Sequence, residues 1–157
     1  MQDIKPKDIS YLRMCLSIAN EFSTCGKRQY AAIIVDHRGT VIATGYNGTP
    51  SGFEHCKDGG CPRFLENTPS GTSYGNCLSV HAEVNAIIRS TPATRERSTL
   101  YVNGLPCWDC AKVIIGSGIP RVVCLGGRDT LDEKLVIDLF GRSEVWFHEV
   151  PPSMLEA

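Results

Sequence analysis

The chain has 157 residues, 42% of them hydrophobic and 21% charged, with a formal net charge of -1. That length suits one domain with a sizeable core, and the near-neutral balance argues against a cationic surface built for long nucleic acid. No apolar run approaches the roughly 20 residues of a membrane span, and Met1-Gln2-Asp3-Ile4-Lys5 lacks a signal peptide's apolar core, so the expectation is a cytoplasmic protein whose eight cysteines serve as metal ligands or buried thiols before disulfides.

Residues 8–24 read as a helix, since Ile9, Leu12, Cys15, Leu16, Ala19 and Phe22 recur at spacings of three and four. Asp8 near its start suits the helix dipole. Ser23-Thr24-Cys25-Gly26 ends it. The apolar run Ala31-Ala32-Ile33-Ile34-Val35 predicts a buried strand. Asp36-His37-Arg38-Gly39 is turn chemistry, and Thr40-Val41-Ile42-Ala43-Thr44 its hairpin partner. From Gly45 to about residue 78 the chain reads as a loop rich in Gly, Pro, Ser, Asn and Cys. A loop of that length is uncommon in a compact domain unless something pins it; metal is the expected pin.

Residues 79–90 predict a helix, with Val80, Val84, Ile87 and Ile88 apolar and His81 and Glu83 on its first turn. Pro92 opposes its continuation. Ser98-Thr99-Leu100-Tyr101-Val102 reads as a strand. Cys107 and Cys110 start a helix that runs to about Gly116. Arg121-Val122-Val123-Cys124-Leu125 is a strand, 131–140 a helix, and Glu144-Val145-Trp146-Phe147-His148 a last strand. The order α-β-β-α-β-α-β-α-β implies an α/β fold with a mixed sheet covered by helices.

His81, Cys107 and Cys110 offer one imidazole and two thiolates. Three donors leave the fourth tetrahedral position for water or substrate, as a catalytic zinc site requires. The i, i+3 spacing puts both sulfurs on one side of a helix N-terminal turn, where the dipole favours thiolate. Glu83 is not needed as a ligand, and a carboxylate there can shuttle protons. The plain alternative is a purely structural zinc, against which Glu83 and the missing fourth ligand both argue.

His81-Ala82-Glu83 with Pro106-Cys107-Trp108-Asp109-Cys110 matches the signature of zinc nucleobase deaminases. Over about residues 8–148 the chain resembles the cytidine deaminase superfamily, and within it the deoxycytidylate (dCMP) deaminases of bacteria and phages. Gly45-Tyr46-Asn47-Gly48-Thr49-Pro50-Ser51-Gly52 is the stretch that singles out that subgroup, beside His81-Ala82-Glu83-Val84-Asn85-Ala86-Ile87 and Pro106-Cys107-Trp108-Asp109-Cys110-Ala111-Lys112. The resemblance implies a cytidine-deaminase-like three-layer α-β-α fold with a five-stranded mixed sheet, in one deaminase domain spanning 1–157. It implies hydrolytic deamination of dCMP to dUMP with release of ammonia, in the supply of dTMP. Zinc would activate water, and Glu83 would carry its proton to N3 and then to the leaving amine.

The resemblance also gives Asn47 a contact to the sugar hydroxyl. Lys27 and Arg28 are candidates for a 5′-phosphate, as are Gly48, Thr49 and Ser51; the plain alternative is that Lys27 and Arg28 are solvated turn residues. Some relatives hold a second, structural zinc with cysteines at positions like Cys25 and Cys56. Cys25, Cys56, Cys61 and Cys77 could close such a tetrahedral site and stitch the long loop to the first helix. His55 in place of one cysteine, or four separate thiols, are the alternatives. Cys15 and Cys124 read as core. Trp108 and Tyr46 either touch substrate or pack, and Tyr101 or Asn103 could line the pocket. A nucleoside triphosphate is a candidate effector, and relatives are often hexamers, so a homo-oligomer is expected. The family commonly has Val-Gly-Ala where this chain has Tyr30-Ala31-Ala32. Many relatives carry an arginine where it has Leu78-Ser79-Val80, and regulated phage relatives have a longer helix at Ser90-Thr91-Pro92-Ala93-Thr94. Other readings are a deaminase of 5-modified dCMP, cytidine, guanine or adenosine in tRNA, and a non-catalytic zinc-stabilised nucleotide-binding module.

Overall fold

Five strands, β1 (Ala31–Asp36), β2 (Val41–Tyr46), β3 (Ser98–Val102), β4 (Arg121–Leu125) and β5 (Trp146–Val150), form one sheet in the order β2-β1-β3-β4-β5. The computed structural model describes residues 3–69, 74–127 and 131–156. Met1 and Gln2 of the expected N-terminus, and 70–73 of the expected loop, lie outside them. β1 runs antiparallel to β2 and β3, while β3, β4 and β5 run parallel. The β1–β2 hairpin closes on Asp36, whose Oδ1 accepts the N–H groups of Arg38 and Thr40, both at 2.9 Å. Gly39 supplies the positive φ of 88° that this turn needs.

Among the described residues the α-helices are α1 (Pro6–Phe22), α2 (Pro62–Leu65), α3 (Ala82–Ile88), α4 (Pro92–Arg95), α5 (Trp108–Gly116) and α6 (Leu131–Gly141). α5 and α6 are the crossovers that parallel neighbours require. Every second residue of β1 faces the same side. Ala31, Ile33 and Val35 meet Ile9, Leu12, Cys15 and Ala19 of α1. Ala32 and Ile34, on the other face, belong to one apolar cluster with Ala82 and Ala86 of α3, Ala111 and Ile114 of α5, and Val136 and Phe140 of α6. A strand buried on both faces reads as a continuous apolar run, as β1 does. Leu12 is wholly buried, and truncating such a side chain to Ala costs about 2–5 kcal/mol.

The expected three-layer architecture and mixed five-stranded sheet are present. β3 and β4 fall on the expected residues, whereas β5 lies two residues later than its pattern suggests. The long loop is not structureless. It holds a 3-10 turn at Cys56–Asp58, α2, and another 3-10 turn at Tyr74–Asn76. Pro92 does more than stop α3: it opens α4, where a missing N–H costs nothing. Among the described residues no helix is long and apolar enough to cross a membrane.

Candidate active site

The exit of β3 is pinned by Asn103. Its Oδ1 accepts the Ala31 N–H at 2.7 Å and its Nδ2 donates to the Gln29 carbonyl at 3.1 Å. At Gly104 a Cβ would lie 2.6 Å from the Tyr30 ring, so only glycine lets the chain pass there. It then runs through buried Pro106 to Cys107, the N-cap of α5. The Cys107 sulfur accepts the Cys110 N–H at 3.5 Å, so this thiol both caps the helix and faces its neighbour.

His81 is the N-cap of α3, in extended conformation (φ -69, ψ 152), and not a first-turn residue. The cause lies one residue earlier. Val80 makes a two-way backbone bridge with Gly48 (N–H to carbonyl 2.8 and 3.2 Å), which keeps the chain extended up to the helix. α3 lies directly on β2: a Cβ on Gly45 would sit 2.2 Å from the Ala82 carbonyl oxygen and 2.4 Å from the Ala86 nitrogen. Asn85 Nδ2 to the Tyr46 carbonyl (2.9 Å) and Arg89 Nη1 to the Thr44 carbonyl (3.0 Å) complete the seam.

These two helix starts bring His81 Nδ1 to 3.5 Å from the Cys107 sulfur and 3.3 Å from the Cys110 sulfur. Two sulfurs at about 2.3 Å and a nitrogen at about 2.0 Å around a tetrahedral zinc imply N–S separations of about 3.6 Å, so the donor set fits the ion. Among the described residues this is the group of His, Cys, Asp or Glu side chains whose ligand atoms all lie within 4.8 Å of one another. The Cys107 thiol is drawn down to about 4, chiefly by a hydrogen bond from the Cys110 thiol; burial opposes this, and His81 and the Cys110 N–H add to it. Cys110 is pushed up, first by that same hydrogen bond and then by burial. One thiolate is thus ready for a cation, and the second proton would leave on binding.

Glu83 is the second residue of α3 and only 6% exposed. Burial pushes its carboxyl up; hydrogen bonds from its own N–H and the Cys110 thiol, and the nearness of His81, pull the other way. A cavity of about 230 Å³ lies at the C-terminal ends of β3 and β4, lined by Tyr30, Asn103, Gly104, Leu105, Leu125, Gly126, Glu133 and Pro152, and none of the three donors or Glu83 is part of its wall.

The candidate substrate residues are less uniform. Asn47 is buried. Its Oδ1 accepts from the Ser23 hydroxyl and the Tyr30 N–H (2.9 Å), and its Nδ2 donates to the Arg28 carbonyl at 2.8 Å. It therefore staples the segment before β1 to the end of β2. Lys27 Nζ donates to the Thr68 carbonyl. Gly48 is occupied by its bridge, and Ser51 is exposed. Thr49 Oγ1 is buried without a hydrogen-bond partner, and so is Ser79 Oγ, a residue the sequence did not flag. The two flank the Gly48–Val80 bridge on opposite strands, which makes them cross-strand neighbours. Tyr101 does not face this site: its hydroxyl donates to Asp8 Oδ1 at 2.6 Å on the α1 side of the sheet. Tyr46 is stacked on Phe22 (centroids 5.9 Å) with Arg89 5.7 Å from its ring centroid. Trp108 is exposed.

The other four cysteines sit around the end of α1 and the long loop. Cys61 and Cys25 are close enough to Cys56 to act on its thiol, but among the described residues these four do not form a second group of three or more converging ligand atoms. The Gly26 N–H reaches the Cys56 sulfur at 3.4 Å. The Cys61 carbonyl accepts the N–H groups of Phe64 (3.1 Å) and Leu65 (3.2 Å), which turns the chain into α2. Cys77 is half-buried, one residue before Leu78.

A family model described as the cytidine and deoxycytidylate deaminase zinc-binding region matches residues 5–126. The deoxycytidylate deaminase of Schizosaccharomyces pombe is 41% identical over 124 residues, covering 76% of this chain and 37% of that one. The deoxycytidylate deaminase of Mycobacterium phage D29 is 36% identical over 124 residues, covering 76% of this chain and 94% of that one. This chain thus spans little more than a third of the yeast relative's length and nearly all of the phage one's. The crystal structure of the dCMP deaminase from cyanophage S-TIM5, in complex with dCMP and dUMP, superposes with a TM-score of 0.68 at 26% identity, covering 94% of this chain and 100% of that one.

Proposed function

The chain belongs to the cytidine and deoxycytidylate deaminase family, and from that premise we propose that it hydrolyses dCMP to dUMP and ammonia. The observation that carries the reading is the convergence of His81 Nδ1 and the Cys107 and Cys110 sulfurs beside the buried carboxyl of Glu83. The names of the yeast and phage relatives support the substrate, as does the dCMP and dUMP complex of the cyanophage enzyme.

His81, Cys107 and Cys110 would hold a zinc ion, which would supply the Lewis acidity that makes water a usable nucleophile near neutral pH. Glu83 accepts one proton of the water that attacks C4 and gives it to N3 of the cytosine; it then takes the second proton, from the new C4 hydroxyl, and hands it to the amine as the C4–N bond breaks. Burial lifts its proton affinity toward the working pH, which suits a group that must both take and return a proton. Asn47 Nδ2 spends one of its two hydrogens on the Arg28 carbonyl and offers the other to the sugar hydroxyl. The Thr49 and Ser79 hydroxyls, buried and unpartnered, are donors for the sugar–phosphate end, and Lys27, Arg28, Gly48 and Ser51 are the further candidates for the phosphate.

We also infer a second, structural zinc on Cys25, Cys56, Cys61 and Cys77, supported by the nearness of Cys25 and Cys61 to Cys56 and by the Gly26 N–H aimed at the Cys56 sulfur. The 157 residues act as one deaminase domain, in a reducing cytoplasm where eight free thiols persist, as a homo-oligomer open to a nucleoside triphosphate effector. A substrate panel tests the reading: dCMP, CMP, deoxycytidine, 5-substituted dCMP and guanine, each assayed for ammonia release. dCMP is expected to turn over fastest. Preference for another member moves the specificity within the family, and no ammonia from any of them removes the enzymatic reading.

A further inference from the structure

We propose that Arg95 is a positioning residue for the metal centre: it ties together the C-terminal ends of α3 and α5 and so sets the spacing of the ligands at their N-terminal ends. The inference rests on reading His81, Cys107 and Cys110 as metal ligands. The Arg95 guanidinium spans the two helices. Its Nη1 donates to the Ile87 carbonyl (3.2 Å), the Ser90 carbonyl (3.1 Å) and the Ser90 hydroxyl (3.1 Å), and its Nε donates to the Ser117 carbonyl (3.0 Å). Ile87 lies in the last turn of α3, and Ser117 is the C-cap of α5. The opposite ends of the same helices carry His81, and Cys107 with Cys110.

The helices have seven and nine residues. At 1.5 Å per residue, about 10–14 Å of stiff backbone separates the clamp from the ligands. A slide of one helix along the other at the clamped end therefore arrives at the metal undiminished. Metal–donor distances tolerate only about 0.2 Å. On the core side Ala82 and Ala86 of α3 share one apolar cluster with Ala111 and Ile114 of α5. Apolar packing is non-directional, so it resists separation better than sliding. The Arg95 fork supplies the missing direction. Its charge also suits two helix ends whose last carbonyls carry partial negative charge.

The arginine is itself held on a built platform. α4 starts with Pro92, and Thr91 and Thr94 cap each other: Thr94 N–H to Thr91 Oγ1 at 3.3 Å, Thr91 N–H to Thr94 Oγ1 at 3.1 Å. The Ser98 hydroxyl, at the first position of β3, donates to the Arg95 carbonyl at 2.8 Å. This gives Ser90-Thr91-Pro92-Ala93-Thr94 a purpose beyond ending α3. A lysine here would keep the charge but reach one helix end at a time, because it lacks the planar fork.

The test follows zinc, not only turnover. Zinc-loaded wild type, Arg95→Met and Arg95→Lys are mixed with a chelating dye at a temperature where circular dichroism shows each fully folded. Phe140→Leu, a core change on α6, serves as a variant of lowered melting temperature that leaves the helix ends alone. Arg95→Met is expected to release zinc at least about tenfold faster, in the range typical of lost supporting contacts to metal ligands. Its kcat should fall with KM nearly unchanged. Arg95→Lys should lie between it and wild type, and Phe140→Leu should release zinc at the wild-type rate. Wild-type release from Arg95→Met, or from Arg95→Lys if the former does not fold, overturns the proposal and leaves Arg95 a stability residue. A wild-type protein that binds no zinc overturns the metal-site reading first and this inference with it.

Discussion

The guanidinium of Arg121, at the first position of β4, grips both carboxylate oxygens of Asp8, in the first turn of α1: Nη1 to Oδ1 and Nη2 to Oδ2 are both 2.9 Å. The Tyr101 hydroxyl donates to the same Oδ1, and the Lys5 N–H to Oδ2 at 2.7 Å. Arg121 in turn lies 4.6 Å from the Trp146 ring centroid. One charged cluster thereby locks α1 onto β3, β4 and β5, on the side of the sheet away from the candidate metal centre.

Burial alone would raise the Asp8 carboxyl, but the hydrogen bonds from Arg121, Tyr101 and Lys5, with the Arg121 charge, hold it below the usual carboxylate range. A folded pKa below the unfolded value means that the native state binds fewer protons. The stabilisation is therefore present above about pH 4, the unfolded carboxylate value, and is lost as pH falls through the folded one. Urea unfolding should show wild-type stability declining in that acid window, with a flatter decline in Asp8→Asn. At neutral pH the variant leaves Arg121 buried against a neutral partner, a loss of about 3–5 kcal/mol. An Asp8→Asn protein as stable as wild type at both pH values would show that the ion pair is idle.

None of that cluster was legible in the sequence, because Asp8 and Arg121 are 113 residues apart and neither lies in a pattern. Local and periodic features were legible. β1 and β4 announce themselves as apolar runs, and the hairpin between β1 and β2 by Asp36 and Gly39. The candidate metal site was readable because its chemistry imposes short spacings, Cys107 to Cys110 between two donors and His81 to Glu83 between a donor and the proposed proton carrier. The start of α3 was not, since its apolar pattern begins at Val80, and only the long-range bridge to Gly48 keeps Val80 and His81 extended. Tyr101 was misjudged for the related reason that period-two alternation does not say which face of a sheet carries the site. Arg95 reads as an ordinary surface charge until the ends of two helices are seen beside it.

Gly45 is where β2 and α3 touch. A methyl group there would meet the backbone of Ala82 and Ala86, at 2.2 and 2.4 Å. Backbone atoms cannot rotate away as a side-chain tip can. Gly45→Ala should destabilise the fold by about 1–3 kcal/mol, as overpacking does. It should also push the start of α3, and with it His81, off its position. Chemical denaturation gives the first effect and zinc content the second. A Gly45→Ala protein with unchanged stability and full zinc would mean that α3 can back away freely.

Glu83 carries the proton in the proposed reaction and is not one of the three metal donors. Glu83→Gln keeps the shape and removes the titrating group. Turnover should fall by at least about 10²-fold, the usual contribution of acid–base catalysis. Zinc content should stay at the wild-type level. Ammonia release and elemental analysis on the same sample separate the two. Unchanged turnover would remove Glu83 from the mechanism, and lost zinc would mean that its carboxylate supports the ligands instead.

The cysteines of the long loop make the sharpest claim about composition. Cys56 is pushed up to about 11, chiefly by burial, with its neighbours Cys61 and Cys25 adding to the shift. Burial acts the same way on Cys61, yet the N–H groups of Phe64, Leu78 and Arg63 and the Cys56 thiol bring it below its ordinary value. Backbone donors converging on a sulfur stabilise a thiolate, and a thiolate is what a metal ligand has to be. Two zinc ions per chain are therefore expected by elemental analysis. Cys61→Ser should lose one of them and keep the ion of His81, Cys107 and Cys110, so that dCMP turnover survives at low temperature. Its melting temperature should fall on the order of 10 °C, the shift that a loss of about 3 kcal/mol produces in a chain of this size. One zinc in the wild type, or two retained in Cys61→Ser, would leave these thiols as separate buried side chains and the loop held by its own short helices.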